Sequence, residues 1–331
     1  MVLTGQAPIE TSPLSFIEVP TPEPGPREVR VKVSVCAICR TDLHVIEGDL
    51  PKAKMPIIPG HQVVGVVDKL GAGSQRLTIG QRVGIAWLRE TDGSCRFCLR
   101  GHENLCENAR FTGYHADGGY AEYAVAREDF VYDLPEGFSD EHAAPLLCAG
   151  LIGYRSLKRA SVPDGGNLLL IGFGSSAHIV IQIALFRRYK VFVVTRSENH
   201  RRLCMEMGAA FAGERLDEVP EKMNSAIIFA PAGDLIPPTM ETLDRGGILS
   251  LAGIHMSDIP AMEYERHLFY EREIRTVTAN TREDGRELLA EAAIAGVIPH
   301  TKTYALNEAN QALMDLKSDR INGTGILRVG S

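Results

Sequence analysis

The chain has 331 residues, 44% of them hydrophobic and 23% charged, which is the balance of an ordinary folded protein long enough for two packed cores and excludes a disordered one. A formal net charge of -7 with no basic stripe excludes a nucleic-acid partner, because neutralising a phosphate backbone takes clustered Lys and Arg. No apolar run approaches the roughly 18 residues of a membrane helix, and residues 1–13 are neither basic nor continuously apolar, so a cytoplasmic protein with no membrane contact is expected.

After the proline-rich entry Val19–Pro26, Val29, Val31, Val33 and Val35 alternate with Arg30, Lys32 and Ser34. This is the period of a half-buried strand, and it leads into Cys36 and Cys39. Pro59-Gly60-His61 forms a turn feeding the apolar strand Gln62–Val67. Short strands and loops are expected to continue to about Cys148.

Within that stretch Asp92, Cys95, Cys98 and Cys106 have the spacing of a zinc lobe in which a carboxylate replaces one thiolate. Seven cysteines are an odd number, and three crowd this one loop, so in a reducing compartment they read as metal ligands before disulfides. Zn²⁺ favours sulfur and tolerates carboxylate oxygen, so a metal-loaded loop is the expectation.

From Gly150 the texture changes to βα alternation. The apolar segments Asn167–Ile171, Val191–Val194, Ala226–Ala230 and Ile248–Ala252 are separated by helical patterns such as His178–Phe186, the signature of a parallel sheet covered by helices. The last fifty or so residues add the helical patterns Glu283–Ala295 and Asn307–Leu316 and a strand at Gly325–Val329.

The turn Gly172-Phe173-Gly174-Ser175-Ser176-Ala177 lies between a buried strand and a helix start. Small residues there let a pyrophosphate approach the positive helix end, so the turn reads as a dinucleotide site. At the end of the next strand, where a carboxylate would bind an adenosine ribose, the chain carries Thr195-Arg196-Ser197. With no acid to repel a 2'-phosphate and Arg196 able to pair with it, NADP(H) is favoured, with NAD(H) the alternative.

Cys39, His61 and Cys148 are far apart in sequence, and each alone fits a buried thiol or a hydrogen-bonded histidine. Their surroundings nevertheless run in a recognisable order: Cys36 to His44, Pro59 to Gly65, Trp87-Leu88, the loop through Cys106, Asp117 to Tyr123, Ala144 to Gly150, and the glycine turn. In this order, over nearly the whole chain, the sequence resembles the zinc-dependent medium-chain alcohol dehydrogenases.

The resemblance implies an α/β protein with a GroES-like β-rich catalytic domain, residues 1–149 and 279–331, and a Rossmann doubly wound parallel-sheet coenzyme domain, residues 150–278. It implies a catalytic zinc on Cys39, His61 and Cys148 with an open fourth position, and a structural zinc on Asp92, Cys95, Cys98 and Cys106. Thr41 would take the alcohol proton, His44 would relay it toward solvent, and Asp42 would orient the ligating histidine. Arg40 would face the coenzyme pyrophosphate, and Gly172, Gly174, Ser175, Ser176, Ala177, Thr195 and Arg196 would hold the rest of the coenzyme. Trp87 would wall the alcohol pocket.

Gln62 stands where relatives usually carry Glu, which removes a negative charge near the metal. The expected reaction is hydride transfer between a small primary alcohol or aldehyde and the nicotinamide. A polyol, an amino-alcohol or a cinnamyl-type alcohol is the alternative substrate, and an inactive nucleotide-binding sensor or structural protein is the alternative of another class. A homodimer or homotetramer is expected. The strand Ile248–Ala252 is the candidate for edge-to-edge pairing.

Overall fold

The computed structural model describes residues 1–51 and 54–330. The chain divides into two compact units, Met1–Ala149 with Ala279–Ala293 and the residues from Ile298 on, and Gly150–Thr278 with Ile294–Val297.

In the first unit the valine alternation becomes the strand Glu28–Ala37, with Val29, Val31, Val33 and Val35 all buried. It is the centre of a seven-stranded sheet. One side pairs antiparallel with Gln62–Leu70, beyond which lie Arg82–Ile85 and Val131–Asp133. The other side is shared: Tyr123–Arg127 pairs with its first half, and Thr324–Arg328 with its end. Thr324–Arg328 is in turn parallel to Thr301–Ala305, with the helix Ala309–Lys317 in the crossover.

Register is what positions the site. Ala37 pairs with Gln62, so the end of one strand and the start of the next sit side by side. Cys39 follows the first strand by two residues and His61 immediately precedes the second, so both are delivered to one end of the sheet. Gly65 keeps the two strands close, since a Cβ there would lie 2.2 Å from the Lys32 carbonyl oxygen. The core on this sheet includes Val31, Val63, Val67, Ile85, Tyr120, Leu313 and Leu327.

The second unit is a six-stranded sheet in the order Phe211–Gly213, Lys190–Val194, Asn167–Ile171, Met223–Ile228, Leu243–Leu251, Glu273–Thr276, parallel throughout. Counted along the chain this is 3-2-1-4-5-6, the doubly wound dinucleotide-binding order. The first strand lies in the middle, and Ile171 ends level with both Val194 and Ile228. The crevice where the order reverses therefore opens beyond Ile171, at the glycine turn.

Three sequence expectations need correction. Ile248–Ala252 is the end of a longer strand, Leu243–Leu251, and it is not at an edge. Glu273–Thr276 pairs outside it, and the sequence gives no strand signal there because Glu273, Arg275 and Thr276 leave Ile274 as its one apolar residue, as suits an exposed edge. The pattern Asn307–Leu316 splits into a 3₁₀ turn, Leu306–Glu308, and the helix Ala309–Lys317, and the last strand runs Thr324–Arg328. Among the described residues no helix is long and apolar enough to cross a membrane.

Candidate active site and metal centres

Cys39 is the N-cap of the helix Arg40–Glu47, and its Sγ accepts the Thr41 backbone N–H at 3.3 Å. That sulfur lies 3.3 Å from His61 Nε2 and 4.0 Å from Cys148 Sγ. The three donor atoms lie within 4.8 Å of one another, and all three residues belong to the first unit. A tetrahedral zinc with bonds of about 2.3 Å to sulfur and 2.0 Å to nitrogen would set sulfur–sulfur and sulfur–nitrogen edges of roughly 3.8 and 3.5 Å. The observed spacings fit that ion.

The field of the site also fits a cation. Asp42, 2% exposed, lies with Oδ1 3.0 Å from His61 Nδ1 and accepts the Cys39 backbone N–H on Oδ2 at 2.8 Å. Burial works against a charged imidazole, but the Asp42 carboxylate and the Cys39 thiolate outweigh it and raise the His61 pKa. Cys39 is driven toward thiolate by the Cys148 thiol, whereas Cys148 holds its proton because of that same bond and its burial. With Nδ1 directed at Asp42, a metal that displaces the Nε2 proton would find that nitrogen's lone pair aimed at the two sulfurs' common point. Gln62, next to His61 and fully buried, has no hydrogen-bond partner at either end of its carboxamide among the described residues. An unpaired buried amide of this kind belongs to a site built around a polar occupant.

Thr41 and His44 stand three apart on the Arg40–Glu47 helix, and so on neighbouring positions of one face. His44 Nδ1 is 2.7 Å from Asp49 Oδ2. Arg40 is held by Asp319 at 2.7 Å. Trp87 meets the His61 ring edge-on, with centroids 4.9 Å apart.

The second cluster gathers Asp92, Cys95, Cys98 and Cys106, again with donor atoms within 4.8 Å. Asp92 Oδ1 accepts the backbone N–H groups of Ser94 and Cys95 at 2.9 and 2.8 Å, and Oδ2 accepts Asn108 Nδ2 at 2.9 Å. These bonds, that of Asn108 foremost, hold its carboxyl well below the usual carboxylate range. The Cys98 thiol is pushed up to about 12 by burial and by its bonds to Cys95 and Cys106. Three sulfurs and a carboxylate oxygen thus lie close enough to share one ion, a donor set that suits zinc.

In the second unit Gly172 follows the strand Asn167–Ile171 with φ +86°, and its N–H donates to Val194 O at 2.9 Å. Gly174 caps the helix Ser175–Phe186, and a Cβ there would meet nothing within 4 Å. Ser175 and Ser176 are half-buried at the helix start and Ala177 is buried. Thr195 is buried and Arg196 exposed just past the strand Lys190–Val194.

The sequence reading passed over Asp49, Asn108, Phe111, Tyr114 and His115. The last three form an aromatic run directly after the metal loop, which was the available signal. Phe111 stacks on Trp87 at 4.9 Å and Tyr114 lies near-parallel to it at 5.9 Å.

A chain that carries both a doubly wound sheet with a glycine-turn crevice and a unit with a two-sulfur, one-imidazole cluster defines a nicotinamide-dependent, metal-assisted oxidoreductase. Residues 25–136 match the alcohol dehydrogenase GroES-like domain. A probable alcohol dehydrogenase of Mycobacterium tuberculosis (strain CDC 1551 / Oshkosh) is 49% identical over 97% of this chain and 94% of the relative. An alcohol dehydrogenase of Geobacillus stearothermophilus is 34% identical over 96% of each. The solved cinnamyl alcohol dehydrogenase of Sorghum bicolor superposes with a TM-score of 0.90 at 25% identity, covering 99% of this chain and 97% of that one. The chain belongs to the medium-chain alcohol dehydrogenase family. It is an NAD(P)-dependent oxidoreductase of alcohols and aldehydes, with zinc as its metal.

Proposed function

We propose that this dehydrogenase binds its catalytic zinc through Cys39, His61 and Cys148 and interconverts small primary alcohols and aldehydes. The observation that carries the reading is the spacing of the three donor atoms, with Asp42 ordering the imidazole behind them. When bound, zinc supplies a Lewis acid that lowers the pKa of an alcohol hydroxyl toward about 7 and polarises an aldehyde carbonyl. Thr41 takes the alcohol proton on its hydroxyl, and His44 passes it toward solvent with its ring held by Asp49. Asp42 keeps the imidazole in the Nε2-donor tautomer.

The coenzyme pyrophosphate binds over Gly172 and Gly174, where the N–H groups of Ser175, Ser176 and Ala177 point out of the helix start. Arg196, exposed beside Thr195 with no carboxylate at the strand end, favours NADP(H). Asp92, Cys95, Cys98 and Cys106 hold a second, structural zinc. Arg40 offers a cation to phosphate in exchange for Asp319. The first unit is the catalytic domain, the second the coenzyme domain, and the functional form is a homo-oligomer.

Metal analysis and turnover of Cys39→Ala and His61→Ala test the central reading. Loss of one zinc per subunit together with all NAD(P)H-linked turnover, in a folded protein, is the expected result, and retained activity in either variant overturns it.

A further inference from the structure

Trp87 is not a loosely seated side chain. Its ring is edge-on to His61, nearly parallel to the Phe111 ring at an interplanar angle of 13°, and at 21° to Tyr114. The backbones beneath these rings are tied together. Thr112 donates its N–H to Trp87 O at 2.9 Å and its hydroxyl to Ala86 O at 2.9 Å, and Leu88 pairs with Phe111.

The turn after Phe111 is closed twice. His115 N–H donates to Phe111 O at 2.9 Å, and Phe111 N–H donates to His115 Nδ1 at 3.1 Å. His115 packs its ring against Phe111 and Tyr114 at 5.5 and 4.5 Å. The same turn is pressed onto the residue before His61: a Cβ on Gly113 would lie 2.8 Å from Gly60 N, and one on Gly118 1.9 Å from Gly60 O. The indole and the imidazole are thus mounted on one backbone junction.

We propose that Phe111 is a specificity-determining residue: by stacking on Trp87 it fixes the indole against His61 and confines the reaction to small, unbranched alcohols. This rests on the reading of Trp87 as a wall of the alcohol pocket. An apolar wall discriminates between substrates by roughly 10–200-fold per methylene only while it does not yield. A tryptophan freed of its stack turns about χ1 and χ2 and admits the larger side chain, whereas an offset aromatic stack holds one orientation.

The chain has one tryptophan, so its emission reports on Trp87 alone. In the zinc-loaded enzyme Phe111→Ala is expected to raise acrylamide quenching of that emission several-fold. It should also raise kcat/KM for benzyl alcohol relative to ethanol about 10-fold or more. Phe111→Leu, which keeps apolar volume without the stack, should move both in the same direction, and Phe111→Tyr should restore wild-type values. Trp87→Ala tests the underlying reading separately. If Trp87→Ala shifts the ratio and the Phe111 variants do not, or if quenching is unchanged in both Phe111→Ala and Phe111→Leu, the role of Phe111 is overturned while the wall stands. If Trp87→Ala leaves the ratio unchanged, the wall itself falls and the inference with it.

Discussion

One carboxylate, that of Asp42, holds two proposed zinc ligands at once, with Oδ1 3.0 Å from His61 Nδ1 and Oδ2 on the Cys39 backbone N–H at 2.8 Å. Asp42→Asn keeps the shape but removes the charge that fixes the imidazole tautomer. Zinc affinity at this site should fall about 10–100-fold, measured by competition with a chromogenic chelator. An affinity equal to wild type would show that Asp42 does not order the histidine.

Gly60 has φ +95°, and a Cβ there would come within 2.3 Å of the Tyr120 ring and 2.9 Å of Cys36 Sγ. Left-handed backbone strain and overpacking add, so Gly60→Ala should lose about 3 kcal/mol of stability in urea unfolding. Because the next residue is His61, the same variant should purify with less zinc. A variant as stable as wild type would contradict the close packing of this junction.

In the second metal loop the Asp92 oxygens already accept Ser94 N–H, Cys95 N–H and Asn108 Nδ2. A carboxylate whose two oxygens already share three donors binds zinc less firmly than a thiolate does. Asp92→Cys should therefore slow zinc release from this loop to a chelator at least several-fold, with release from the Cys39, His61 and Cys148 site unchanged. Faster release, or no change, would mean that the carboxylate contributes as well as sulfur.

Arg196→Ala should lower kcat/KM for NADPH by about 10–100-fold and leave NADH nearly unchanged, as expected for the loss of one charge-assisted contact to a 2'-phosphate. Parallel losses with both coenzymes would place the phosphate partner elsewhere.

Asp315, 7% exposed, accepts from Tyr304 Oη at 2.8 Å, Lys302 Nζ at 3.0 Å, Gln311 Nε2 at 2.7 Å and Arg320 Nη2 at 2.8 Å. Burial opposes its ionisation, but these four bonds outweigh it and hold the carboxyl below its usual range. A lowered folded value means stability that is complete above the unfolded carboxylate pKa, roughly 3.9, and lost as pH falls through the folded value. Asp315→Asn should cost about 2 kcal/mol at pH 7, and its gap to wild type in urea midpoint should narrow below about pH 4. A gap independent of pH would rule out the ionised carboxylate as the source.

What the sequence disclosed and what it withheld have distinct physical causes. The valine alternation before Cys36 and the glycine turn after Ile171 are local patterns, and the strand and crevice they describe are present. The meeting of Cys39, His61 and Cys148 depends on a strand register, Ala37 opposite Gln62, that no short window carries, so only the family resemblance brought them together. The edge strand Glu273–Thr276 was missed because its charged residues obscure an apolar period, and Ile248–Ala252 was misplaced at the edge as a result. Phe111 and Tyr114 were overlooked because stacking on Trp87 is a tertiary relation, invisible in a loop that reads as irregular.

Cys148 is the last of the three proposed ligands along the chain, and it falls one residue short of the point where the first unit gives way to the second. Metallation is therefore the business of a single folding unit. The donor atoms for the ion would all come from that one unit, so a newly made chain needs no dinucleotide to assemble them.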